Sequence, residues 1–178
     1  MVQERFLFLK EINLKYLFIN ILFIFNLFIY SSPVDELDSF FSNDLVFSQT
    51  SFNKINKDYD KSEGTFKRNS DNSIRIDILS PFKEIYFINE AGVEIHDLEF
   101  NQIRNIPLDQ FNSFFIDFIF YNSIDNSKIT KLQNKSFMIV EDNKNFYFEF
   151  IDENTLQVKF RDNMDVNNLI KFFKDNDN

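Results

Sequence analysis

Few residues in this chain have the type and spacing to do chemistry. Two acid-rich stretches invite a calcium reading. In DYDKSEG, which begins at Asp58, the first two carboxylates are spaced as in a cation loop. Its Gly64 falls at the seventh position rather than the sixth, and Asn69 stands where the closing acid is needed at the twelfth. The second stretch, DNMDVNN from Asp162, has no Gly and no closing Glu. Both read as solvated turns. The only His, His96, is followed by Asp97, but neighbours on a strand point to opposite faces and make no dyad. The absence of Cys excludes thiolate zinc, Cys nucleophiles, disulfides and lipidated cysteine, and with one His neither His-based triads nor multi-His metal sites are expected. Two separated Gly cannot form a glycine-rich phosphate loop. The sequence therefore points to a protein that is not an enzyme, with no cofactor and no metal.

The elements that could position a site are mostly strands. Ile74, Ile76 and Ile78 alternate with Arg75 and Asp77. Phe146, Phe148 and Phe150 alternate with Tyr147, Glu149 and Ile151, and Leu156, Val158 and Phe160 with Gln157, Lys159 and Arg161. Period two puts each apolar row on one face of a sheet. Further strands are expected at 47–55, 64–68, 84–89, 93–97, 100–104, 136–141 and 168–173, and a one-faced antiparallel sheet fits them. Pro33 to Ser42 reads as a short amphipathic helix, with Pro near its start, acids in its first turn and Leu37, Phe40 and Phe41 on one side. Leu108 to Tyr121, LDQFNSFFIDFIFY, follows Pro107 and sets Leu108, Phe111, Phe115 and Phe118 on one helical face. A strand is the alternative there, since FFIDFIFY is rich in β-formers. As a helix, it would lie across the apolar face of the sheet.

Residues 1–31 differ from the rest. Arg5, Lys10 and Lys15 precede a 15-residue apolar stretch, Tyr16 to Tyr30, and Ser31, Ser32 and Pro33 follow it. A spanning helix needs about 20 apolar residues, whereas a signal-peptide core needs roughly 7–15. Export with cleavage after Ser31 is expected, and an uncleaved N-terminal anchor is the alternative. Residues 32–178 then form one domain. They carry 16 basic and 26 acidic residues, a net charge of −10. Such a surface repels phosphate backbones, and no basic cluster offsets it, so nucleic acid is excluded as a partner. The 26 Phe of the whole chain accompany abundant Ile, Asn and Lys, as coding sequence biased toward A and T produces. That bias accounts for their number, and not for their placement.

From residue 47 the spacing resembles the periplasmic outer-membrane lipoprotein carriers, the LolA family. Their pattern of a Phe-x-Gln strand, a Gly, an Arg, an alternating strand and a Pro falls on Phe47 and Gln49, Gly64, Arg68, Ile74 to Ile78, and Pro81. IYFINEAGVEIHDLEFNQI, from Ile85, is similar to the family's strand, turn, strand and hairpin, with Gly92 at the turn. Pro107 and the Phe-rich segment match a Pro-led helix. LQVKFRDNMDVNNLIKFF, from Leu156, resembles the late strand, turn and strand. Asn69 replaces the family's Pro after the Arg, and the loop between Arg68 and Arg75 is longer. The chain ends at Asn178, near where relatives continue into a Pro- and Gly-containing segment. The sister receptor is itself a lipoprotein, and a chain without Cys does not fit that role.

The resemblance implies an α+β, mainly β fold. It is an incomplete antiparallel β-barrel, a strongly curved sheet with helices covering its apolar concave face. It implies a monomeric periplasmic carrier that shields lipoprotein acyl chains in a cavity. Acylated lipoproteins would be the cargo, an inner-membrane ABC transporter the donor and an outer-membrane lipoprotein receptor the acceptor. Phe66, Ile74, Ile76, Ile78, Phe111, Phe115, Phe118, Phe146, Phe148 and Phe150 would line the cavity. Arg68 shares strand parity with Phe66 and can point inward, where a guanidinium needs acceptors such as the carbonyls of a covering helix. The family pattern implies a gating Arg at this position. Two alternatives stand beside these readings. Arg68 can instead end its strand at the rim near Asp71, and the scaffold can serve as an anchored or secreted interaction module without lipid.

Overall fold

A computed structural model describes residues 32–53, 57–110, 120, 124–141, 143–162 and 164–175. Helix α1 (Pro33–Phe41) begins where the sequence dictates. Ser32 is its N-cap, and the Ser32 hydroxyl accepts from the Val34 N–H at 3.3 Å. Pro33 opens the first turn, and Asp35 and Glu36 place negative charge at the positive end of the helix dipole. Leu37, Phe40 and Phe41 on its inner side are buried.

The strands follow as β1 (Leu45–Asn53), β2 (Asp58–Arg68), β3 (Ile74–Ser80), β4 (Glu84–Asn89), β5 (Gly92–Asp97) and β6 (Gln102–Ile106). After them come β7 (Ile129–Thr130), β8 (Ser136–Glu141), β9 (Lys144–Asp152), β10 (Thr155–Arg161) and β11 (Asn167–Lys174). They form one 11-stranded sheet in the order β6-β5-β4-β3-β2-β1-β11-β10-β9-β8-β7. Every neighbouring pair is antiparallel. The strands start mid-sheet with β1, walk by hairpins to one edge at β6, resume at the other edge with β7, and return to pair β11 with β1. The sheet is therefore unclosed, ending at β6 and β7.

It is also curved. Ring centroids lie 5.6 Å apart for Phe41 and Phe66, 5.7 Å for Phe40 and Phe41, and 5.8 Å for Phe40 and Phe150. Phe66 on β2 and Phe150 on β9 are thus within about 17 Å of each other. Four strand spacings in a flat sheet would separate them by about 19 Å. The inward rings converge around α1, as they do on the inside of a bend.

Two expectations change, and a third lies largely outside the described residues. DYDKSEG is not a turn, because Asp58 to Gly64 belongs to β2 and pairs with β1 from Asn53↔Asp58 to Phe47↔Gly64. The strand expected at 100–104 is displaced to Gln102–Ile106, since Leu98 to Asn101 make the preceding turn. The lid expected over 108–121 begins as a 3-10 turn, Leu108–Gln110. Leu108, Phe120 and Ile124 pack against the core, while residues 111–119 and 121, with Phe111, Phe115 and Phe118, lie outside the described residues.

Candidate functional site

Alternation sorts every strand into an inner and an outer row. The inner row carries Leu45 and Phe47 on β1, Phe66 on β2, Ile74 on β3, Ile88 on β4, and Val93 and Ile95 on β5, all buried. Across the β1–β11 seam it continues through Ile170 and Phe172, Leu156 and Val158, Phe146, Phe148 and Phe150, and Phe137 and Ile139. Of the residues expected to line a cavity, Phe66, Ile74, Phe146, Phe148 and Phe150 belong to this buried cluster. Ile76 and Ile78 pack against it while remaining half-buried. Stacked rings fill the β8–β10 part, with Phe137 over Phe148 at 4.9 Å and Phe146 over Phe160 at 5.5 Å.

Gly64 has a packing reason to be Gly. The Phe47 ring directly across the ladder lies over it, and an added Cβ would fall 2.6 Å from Phe47 Cζ and collide with the Asp77 carbonyl. At Gly92 the φ of +146° and the Ile106 carbonyl, 2.5 Å from an added Cβ, exclude a side chain.

Arg68 lies where β2 passes the C-terminal end of α1. Its Nε donates to the Phe41 carbonyl oxygen at 3.4 Å. The last carbonyls of a helix have no partner within it, and α1 carries no basic residue in its own last turn. Asn43 Nδ2 reaches the Ser39 and Phe40 carbonyls at 2.7 and 3.1 Å, and Arg68 adds a cation at the negative end of the dipole. Burial pulls the Arg68 pKa below its ordinary value, and the attraction of Asp38 works against that pull. The carbonyl acceptor that an inward Arg68 requires is thus contributed by the same residue whose ring is buried in the core.

The inner face changes character toward its ends. On β4, Tyr86 donates to Glu84 Oε2 at 2.7 Å, and burial together with this bond pushes its pKa up. Below Ile170 the row turns polar: Asn168, itself buried, accepts from Gln49 at 3.1 Å and from Ser51 at 2.6 Å, and donates to Asp162 at 3.2 Å. Asp162 also accepts the Met164 and Val166 N–H groups at 2.9 Å, so its carboxylate serves the turn. His96 contacts Glu94 and the Phe87 ring on the outer face. Among the described residues no cluster of three or more potential ligands could hold a metal, and no helix is long and apolar enough to cross a membrane.

Sequence reasoning passed over one feature. A hollow of about 560 Å³ lies at the end of the sheet where β1, β2, β10 and β11 meet, lined in part by Phe52, Tyr59, Lys159 and Arg161. These four occupy outer positions, so the hollow belongs to the face opposite α1. Only the hairpin register, which sets Phe52 against Tyr59, brings its aromatic wall together.

No protein-family model matches the chain, and no curated protein sequence matches it. Among solved structures, a LolA superfamily protein from Nitrosomonas europaea matches with a TM-score of 0.45 and 6% identity, over 79% of this chain and 89% of that one. A DUF1329 family protein from Desulfovibrio piger matches with a TM-score of 0.31 and 10% identity, over 82% and 92%. The first bears the name of the family that the sequence motifs resemble.

Proposed function

We propose that the protein is a non-enzymatic periplasmic carrier that shields the acyl chains of lipoproteins and moves them from the inner to the outer membrane. The observation that carries this reading is the inner face itself. It is a continuous apolar row on a bent, unclosed sheet, with a short helix whose last carbonyl accepts a hydrogen bond from Arg68. Burying an acyl chain against such a face gains about 0.8 kcal/mol per methylene, on the order of 10 kcal/mol for a long chain. A sealed face could not release that cargo, so a carrier needs a cover that moves. Helix α1 and Arg68 are assigned that role. An inner-membrane ABC transporter is the proposed donor, and a lipoprotein receptor in the outer membrane the acceptor.

The test is to express the full chain in a Gram-negative host and analyse the purified protein for bound lipoprotein. It should then be offered to spheroplasts that retain lipoproteins at the inner membrane. Cargo that copurifies, or that leaves the spheroplasts in complex with the protein, is the expected result. A protein that does neither is no carrier.

A further inference from the structure

The hollow on the outer face has a composition unlike the rest of the surface. Its volume, about 560 Å³, is within the range of small-molecule sites, roughly 300–1,000 Å³. Residues 32–178 carry an excess of ten acidic groups, yet among the described residues the lining contains two cations, Lys159 and Arg161, and no carboxylate, although Asp165 and Glu149 contact those cations. Both cations lie on β10 at outward positions two residues apart, because Val158 between the core strands points inward. Their side chains leave the same face of the strand about 7 Å apart.

The opposite wall is aromatic. Phe52 and Tyr59 form a cross-strand pair with ring centroids 5.3 Å apart in an edge-to-face arrangement, and Tyr59 remains 60% exposed. Leu169 extends the apolar surface, and the amides of Asn145 and Asn167 complete the rim. Tyr59 is exposed and Phe52 half-buried, and both line the same hollow as the two cations.

Both cations have exposed partners with which a ligand would have to compete. Arg161 Nε contacts Asp165 Oδ1 at 2.7 Å, and Lys159 Nζ lies 3.7 Å from Glu149 Oε2 and 5.6 Å from the Tyr147 ring centroid. The side chains of both cations are at least half exposed, and exposed pairs of this kind are weak enough to exchange for a ligand. A guanidinium also has four N–H groups besides the one on Nε, in a fork that fits a carboxylate, sulfonate or phosphate.

We propose that this pocket binds a small amphiphilic anion. An aryl or short acyl body would rest on Phe52, Tyr59 and Leu169, with its acidic head between Lys159 and Arg161. The site opens on the outer face, although Phe160 and Asn168 of the inner row also line it, and it is tested independently of the carrier reading.

Two fluorescent dyes of nearly the same shape test it: 8-anilinonaphthalene-1-sulfonate and the uncharged N-phenyl-1-naphthylamine. In the purified full chain the sulfonate should bind more tightly. Lys159→Gln/Arg161→Gln should weaken the sulfonate about tenfold while changing the neutral dye less than about twofold. Tyr59→Ala should weaken both dyes about fivefold. All three side chains are exposed, so the variants should keep the wild-type far-ultraviolet dichroism. A sulfonate affinity unchanged in the double variant overturns the proposal, as does a Tyr59→Ala protein that binds both dyes normally. In either case the dyes are bound elsewhere.

Discussion

Phe41 ties the helix to the sheet, and replacing it with Ala tests that packing. Its ring is 1% exposed and meets Phe40, Phe66 and Phe172 at centroid distances of 5.7, 5.6 and 5.2 Å, all near edge-to-face. Burial of a Phe side chain is worth about 1.5–3 kcal/mol, and each aromatic pair adds about 0.5–1.5 kcal/mol. Partial collapse of the surroundings offsets some of this, which leaves the about 3–5 kcal/mol usual for such truncations. A nine-residue helix is not stable alone in water, so losing its anchor should also fray α1. Urea unfolding followed by circular dichroism measures the effect. With a slope of about 2 kcal/mol per molar, the midpoint should fall by about 2 M. Val46→Thr, at an outward position of β1 that is 39% exposed, serves as control and should change stability by no more than about 0.5 kcal/mol. A loss below about 1 kcal/mol for Phe41→Ala would refute the packing argument.

Three other outcomes are expected. Arg68→Leu should alter stability by no more than about 1 kcal/mol, because its bond to the Phe41 carbonyl is long and the side chain is partly exposed. It should nevertheless impair cargo loading or release, and normal transfer by this variant removes Arg68 from the gate. Gly64→Ala should cost about 1–3 kcal/mol through overpacking against Phe47 and the Asp77 carbonyl; unchanged urea midpoints would mean that the ring moves aside. Hydrogen bonds from Ser73 hold the Asp71 carboxyl below its usual 3.8. A depressed carboxylate stabilises the fold above its unfolded pKa, and that contribution is lost as pH falls through the folded value. A carbon-detected titration should place Asp71 below 3.8 and show it rising in Ser73→Ala; a midpoint at 3.8 or above in the wild type contradicts the bond.

Strands whose apolar residues alternate were readable from sequence, because burial of one face imposes period two. Ile74 to Ile78 and Phe146 to Phe150 are of this kind. The first half of β2 was not readable, since Asp58 to Glu63 offers no apolar row. It is a strand because β1 supplies its hydrogen-bonding partners. Leu98 and Phe100 misplaced β6 for the opposite reason: they are apolar but 52% and 70% exposed, on a turn. Helix α1 was legible in its Pro, its acids and its apolar side, while its Ser32 cap was not read. The inward parity of Arg68 was legible too, whereas its acceptor depends on where β2 crosses the helix end, which is long-range information. Lys159 and Arg161 read as an ordinary solvated row because their aromatic counterparts come from a hairpin about 100 residues away in sequence.

The packing of the inner face poses a thermodynamic question for the proposed carrier, because cargo must compete with the rings already there. Displacing Phe40 and Phe41 would cost about 3–6 kcal/mol of burial, and more with their ring pairs. One long acyl chain returns on the order of 10 kcal/mol. The two terms are of similar size, so filled and empty forms can differ by only a few kcal/mol, as reversible loading demands. In the proposed carrier, Arg68 would bias this balance toward the empty form. When α1 lies on the sheet, its last carbonyl accepts from the guanidinium. When the helix lifts, a cation already depleted of solvent loses that acceptor. The cost of that loss rises with burial, so a more deeply inserted acyl chain would strengthen the tendency of the helix to return. A cover closed only by apolar contacts would lack this restoring force. In the proposed carrier, a guanidinium held at a helix end would provide it.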